Sequence, residues 1–130
     1  KLCKNKCIMF SNYSDGLGTL IHVLTNDLKL KAYSFRISTN NIPDALNEFS
    51  CIENGKRLRT VYAMKDPKWK FYCEGEIQPF EEKEFYERKI IKQRLNKEIL
   101  ISYCVKLGID IREDSFWKSQ QSLFVEQISW

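Results

Sequence analysis

Histidine is almost missing from the chain: His22 is the only one among 130 residues. Acid–base and hydrolytic chemistry at neutral pH leans on imidazole, or on a carboxylate or lysine retuned by burial. A Ser-His-Asp or Cys-His device would therefore have to use His22, with Cys7 or Cys51 as nucleophile, and no nucleophile-elbow signature accompanies them. His22 lies between Ile21 and Val23 on an apolar-periodic segment, which suits a structural role. Long apolar runs are missing too. The longest uncharged one, Ile99 to Val105, is seven residues long and includes Ser102 and Tyr103. About 20 are needed to cross a bilayer, so no membrane span is expected. The segment Ser14-Asp15-Gly16-Leu17-Gly18-Thr19 lacks both the third glycine of a dinucleotide fingerprint and the Gly-Lys-Ser/Thr ending of a P-loop. Metal-ligand spacing is equally scarce: Cys3 and Cys7 stand four apart, with no second pair and no histidine in zinc-type register. No cofactor and no metal are expected.

With 43% apolar residues, only three prolines and no repeat, the chain is rich enough in apolar mass to fold as one domain over residues 1–130. The five cysteines (Cys3, Cys7, Cys51, Cys73, Cys104) are an odd number spread through apolar segments, the pattern of small buried hydrophobes in a reducing compartment. A cytoplasmic protein is the expectation. The net charge of +4 is mild. It is unevenly placed, because Lys56, Arg57, Arg59, Lys65, Lys68 and Lys70 face the single acid Asp66 between positions 56 and 70, a local charge of +5. Tyr62, Trp69 and Tyr72 interleave with these cations. The mixture suits a nucleic-acid backbone with stacked bases, or an acidic protein surface. It also suits a solvated strand face whose aromatics turn into the core.

Cys7 to Phe10 reads as a strand leaving into a loop, and Leu17, Leu20, Ile21, Leu24 and Leu28 recur at helical spacing. Leu30 to Ser38 alternates, with Tyr33, Phe35 and Ile37 toward the core, and the order strand, helix, strand predicts a parallel right-handed unit. Asn54-Gly55 between Phe49–Glu53 and Lys56–Met64 predicts a hairpin, because both residues tolerate positive φ. Asp66-Pro67-Lys68 supplies a second turn into Trp69–Cys73. Acids at 81, 82, 84 and 87, bases from Lys89 onward and Gly108 at the end predict one long helix over 81–107. Phe116 and Trp117 fit a short turn or helix, and Leu123 to Trp130 a last strand. The expected architecture is α+β: a mixed, mainly antiparallel sheet of about five to six strands, an N-terminal β-α-β unit, a central meander and one long C-terminal helix on one face.

Several segments together carry a likeness: Phe10-x4-Asp15-Gly16-Leu17, Arg59-x-Val61-x-Ala63-Met64, the run Tyr86-x-Arg88-x-Ile90-x3-Arg94-Leu95-x2-Glu98-x-Leu100-x2-Tyr103-x3-Leu107-Gly108-x-Asp110-Ile111, and Phe116-Trp117. Over about residues 7–117 the chain resembles small bacterial proteins and, in overall build, the immunity proteins of contact-dependent growth-inhibition systems. The resemblance implies a non-enzymatic cytoplasmic inhibitor that binds one cognate toxin domain, and it transfers no binding residue by position. Aromatic and Arg side chains dominate protein interfaces, which makes Arg57, Arg59, Trp69, Tyr72 and Trp117 the candidate partner-binding residues. The alternative is a small nucleic-acid-binding module using segment 56–72.

Overall fold

The computed structural model describes residue 8 and residues 18–38 and 41–118. Its frame is a four-stranded sheet in the order β1-β2-β3-β4: β1 (Lys31–Arg36), β2 (Leu46–Glu53), β3 (Lys56–Asp66) and β4 (Lys68–Gly75). Each strand pairs antiparallel with the next. Chain sense follows from the short connections, since antiparallel neighbours need only a turn whereas parallel ones need a crossover of a dozen residues or more. The β2–β3 turn forms as the sequence predicts, with Asn54 at φ 51° and Gly55 at φ 73° closing Glu53 onto Lys56. The β3–β4 turn at Pro67 pairs Asp66 with Lys68.

This architecture corrects the expected sheet. Among the described residues there are four strands, all paired antiparallel, rather than a mixed sheet of five or six; the parallel unit expected between the strand at 7–10 and β1 is not among them, because its first strand falls outside the described residues. The strands expected at 7–10 and 123–130 lie outside the described residues, apart from Ile8, which is irregular.

The second correction concerns the long helix over 81–107. The chain there forms α2 (Lys83–Tyr86), a 3-10 turn at Ile91–Gln93 and α3 (Lys97–Lys106). Arg88 and Lys89 interrupt the apolar stripe between Phe85 and Ile91, so a continuous helix would have no inward residue in that turn. Ile90 is extended, at φ −85° and ψ 111°. Arg94 donates to the Arg88 carbonyl (2.7 Å) and Arg88 to the Gln93 carbonyl (3.0 Å), which satisfies backbone groups left open by the break. Asn96 then restarts the helix, its side chain accepting the Ile99 amide at 3.0 Å. The far end matches expectation: Gly108 at φ 84° sits where its N–H donates to Val105 and that of Ile109 to Cys104, a paired C-terminal cap.

Alternation along the strands sorts side chains onto two faces. One face carries Phe49, Val61 and Ala63, which pack with Phe80, Leu95, Ile99, Leu100 and Tyr103 from the 76–107 segment. Tyr33, Phe35, Ile37, Trp69 and Phe71 close in around them. Edge-on ring contacts, Phe49 to Tyr103 at 5.7 Å and Tyr33 to Phe80 at 5.2 Å, give this core fixed geometry. Among the described residues the opposite face is covered only at one end, where α1 (Gly18–Asp27) meets β1 and β2. There Thr25 is buried and accepts the Gly55 amide at 3.3 Å, and His22 Nδ1 lies 3.2 Å from the Gly55 carbonyl. The short helix α4 (Asp114–Trp117) carries Phe116 and Trp117.

Candidate binding surface

Away from α1, the open face of the sheet is a row of register partners running across all the strands: Arg36, Glu48, Tyr62, Tyr72. Tyr62 and Tyr72 stack with ring centres 5.2 Å apart and planes 22° from parallel. Glu48 lies 4.0 Å from the guanidinium groups of both Arg36 and Arg57. One row away, Thr60 pairs with Glu74, whose carboxylate accepts from the Tyr72 hydroxyl, and Met64 pairs with Lys70 on the other side. Hydrogen bonding to Glu74 holds the Tyr72 phenol above its ordinary range. The result is an aromatic pair, half exposed on Tyr72, ringed by Arg36, Arg57 and Lys70 with Glu48 and Glu74 between them. A depression of about 300 Å³ opens beside it, lined by Arg57, Leu58, Arg59, Thr60, Glu74 and Gly75.

The candidate residues named from sequence separate in this structure. Arg57 and Tyr72 reach the open face, with Arg57 48% exposed and Tyr72 40%. Trp69 faces the other way and packs against the core. Trp117 stands apart on α4, 57% exposed, its indole N–H donating to the Ile111 carbonyl at 2.9 Å. Arg59 is buried, its side chain only 4% exposed. Glu48, Arg36 and Tyr62, which sequence reasoning passed over, join the site because they share parity with Tyr72 through the ladder register. The parity of Tyr62 relative to Val61 and Ala63 was the available signal.

Arg59 belongs to a buried network on the core side. Its Nη2 donates to Glu81 Oε2 at 2.7 Å, its Nε to Glu81 Oε1 at 3.0 Å, and its Nη1 to the Gly75 carbonyl at 3.1 Å. Glu81, whose side chain is fully buried, also accepts from the Gln78 amide (2.8 Å) and the Tyr86 hydroxyl (2.9 Å). Tyr86 in turn lies 3.1 Å from the Tyr103 hydroxyl, which accepts from the Glu82 amide at 3.2 Å. Burial pulls the Arg59 guanidinium down, but Glu81 outweighs it and the net direction is up. Burial drives both the Tyr86 and Tyr103 phenols upward. Each of these polar groups has a hydrogen-bond partner, so the arrangement pins the 76–86 segment to the end of β3.

Among the described residues no cluster of His, Cys, Asp and Glu has the makings of a metal site. Cys51 and Cys104 are buried, and burial pushes both thiols up, Cys104 to about 11. A second depression of about 270 Å³, between Tyr33, Pro79, Phe80, Lys106 and Leu107, has Lys106 already paired to Glu82 and to the Phe80 carbonyl. No described helix is long and apolar enough to cross a membrane. Compared with protein-family models, curated proteins and solved structures, the chain matches none.

Proposed function

We propose that this chain is a non-enzymatic binding protein that docks a folded protein partner on the open face of its sheet, and that the partner is a cognate bacterial toxin domain, as the resemblance to immunity proteins implies. The observation that carries the reading is the row Arg36–Glu48–Tyr62–Tyr72, a stacked aromatic pair set among charges of both signs. Tyrosine and arginine supply rigid contact area and forked hydrogen bonds, and they dominate the energetics of protein interfaces. The mixed signs favour a folded protein over a nucleic acid, because Glu48 and Glu74 stand between the cations a phosphate chain would need to reach. The buried Arg59 withdraws one further cation from the basic segment.

The test is a calorimetric titration of the full chain with the toxin domain encoded beside it. Tyr62→Ala, Tyr72→Ala and Arg57→Ala are each expected to weaken binding by roughly 30-fold, equivalent to about 2 kcal/mol, with the melting temperature nearly unchanged. Binding indifferent to all three variants refutes this surface. Tight binding to a short RNA that falls steeply with salt would replace the protein partner with a nucleic acid.

A further inference from the structure

The phase of the hydrogen-bond ladder fixes which backbone groups the sheet leaves at its edges. The Glu76 amide donates to the Leu58 carbonyl at 2.9 Å, one register step past the Arg59–Gly75 pair. Bonded and non-bonded pairs alternate along an antiparallel ladder. Thr60/Glu74, Tyr62/Tyr72 and Met64/Lys70 are therefore the bonded pairs between β3 and β4. The N–H and C=O groups of Trp69, Phe71 and Cys73 consequently point away from β3, along the outer edge of β4. Among the described residues no strand takes them up, and Tyr72 to Gly75 are exposed.

The same strand is polarised in charge. Lys68 and Lys70 occupy its first half, while Glu74 and, one residue past its end, Glu76 occupy the second. Lysines alone on an edge deter pairing. A strand whose own carboxylates lie at the mirrored positions is instead complementary to an antiparallel copy of itself. The opposite edge, β1, carries Lys31 and Arg36 and no acid, so self-pairing there would only oppose like charges.

We propose that β4 is a homodimer edge: two copies of this chain pair β4 with β4 antiparallel about Tyr72. Lys70 of each copy then faces Glu74 of the other, Lys68 faces Glu76, and Phe71 exchanges ladder bonds with Cys73. This register satisfies the backbone phase, since residues that point outward meet residues that point outward. It also joins the two open faces into one continuous sheet surface, with the Tyr62/Tyr72 pairs side by side at its centre.

Sedimentation equilibrium of the full chain, from low to high micromolar at low salt, tests the proposal. The parent chain is expected to dimerise reversibly. Lys70→Glu and Glu74→Lys, each of which sets like charges face to face twice per dimer, should each weaken dimerisation by roughly 10-fold or more. The double swap Lys70→Glu/Glu74→Lys should restore it. Lys68→Glu with Glu76→Lys, farther from the two-fold, should repeat the pattern with a smaller shift and serves if the inner variants melt early. A parent chain that stays monomeric throughout, single reversals that dimerise like the parent, or a double swap that fails to restore dimerisation each overturn the proposal.

Discussion

Removing the Arg59 guanidinium should unfold this protein more readily than any change on its open face. Arg59→Met keeps most of the side-chain volume and deletes only the charge and the donors. The variant strands the Glu81 carboxylate, whose side chain has no exposure to water, and removes the only side-chain donor that the Gly75 carbonyl has among the described residues. Breaking one half of a buried ion pair costs roughly 3–5 kcal/mol, much of it the penalty of an uncompensated charge. Two donors to Glu81 survive, the Gln78 amide and the Tyr86 hydroxyl, which places the expected loss near the lower end, at about 3 kcal/mol. With a urea slope of about 1.5 kcal/mol per molar for a chain of this size, the unfolding midpoint should fall by about 2 M. Circular dichroism over a urea series reads this directly. Arg59→Met/Glu81→Leu, which removes both charges, should cost less than the sum of the two single changes, because neither charge is left stranded. A midpoint shift below about 0.5 M, or single effects that simply add, would refute the claim that the pair pins the 76–86 segment to β3. An interfacial Arg59 predicts the reverse pattern, with weakened partner binding and unchanged stability.

Gly75 offers a sharper steric test: it sits at φ 90°, and a Cβ there would lie 2.0 Å from the Leu58 carbonyl oxygen. Gly75→Ala should lower stability by about 2 kcal/mol or more in a thermal melt, whereas Gly18→Ala, with nothing near its Cβ, should leave the melt unchanged or raise it. Brief alkylation at about pH 8 should modify exposed Cys73 well before buried Cys51 and Cys104, the latter with its thiol pushed up to about 11 by burial. Peptide mass mapping reads the order, and equal labelling of Cys104 and Cys73 in the folded chain would contradict the packing of α3 on the sheet.

The parts of this fold legible in the sequence are those written in backbone preference. Asn54-Gly55 marks the hairpin because few residue pairs accept positive φ at both turn centres, and Gly108 marks the end of α3 for the same reason. The alternation of Tyr33, Phe35 and Ile37 reports the core side of β1 correctly. The helix over 81–107 fails because its charges were assigned to the backbone dipole, while the fold uses them over longer range: Glu81 holds Arg59, Glu82 holds Lys106, and Arg94 caps a carbonyl inside the break. Asn96, a good N-cap three residues before Ile99, was the local sign of a restart. Arg59 was misplaced for a related reason. It shares parity with Val61 and Ala63, so alternation by itself points it inward, whereas its charge reads as that of a partner-binding anchor. Its partner Glu81 is 22 residues away, and no spacing rule links them.

The same parity decides what the open face can recognise. Once Arg59 turns inward, the cations of the 56–70 segment no longer form a stripe: Lys56 lies at one end of β3, and Lys65 and Lys68 at the other. What remains around the Tyr62/Tyr72 pair is Lys70 on one side and, on the other, Arg57 near the start of β3, joined across the strands by Arg36; the two arginines both lie 4.0 Å from Glu48. A phosphate approaching either guanidinium meets that carboxylate at close range, and its binding would have to displace an existing ion pair, which lowers the return from each contact. A protein partner faces no such conflict. It can offer a carboxylate to Arg57 and a donor to Glu48 at once, while an aromatic or aliphatic side chain covers the Tyr62/Tyr72 stack. Charge alternation that frustrates a polyanion is what gives a protein surface its selectivity, so the salt dependence of binding at this face should be shallow and its dependence on the two tyrosines steep.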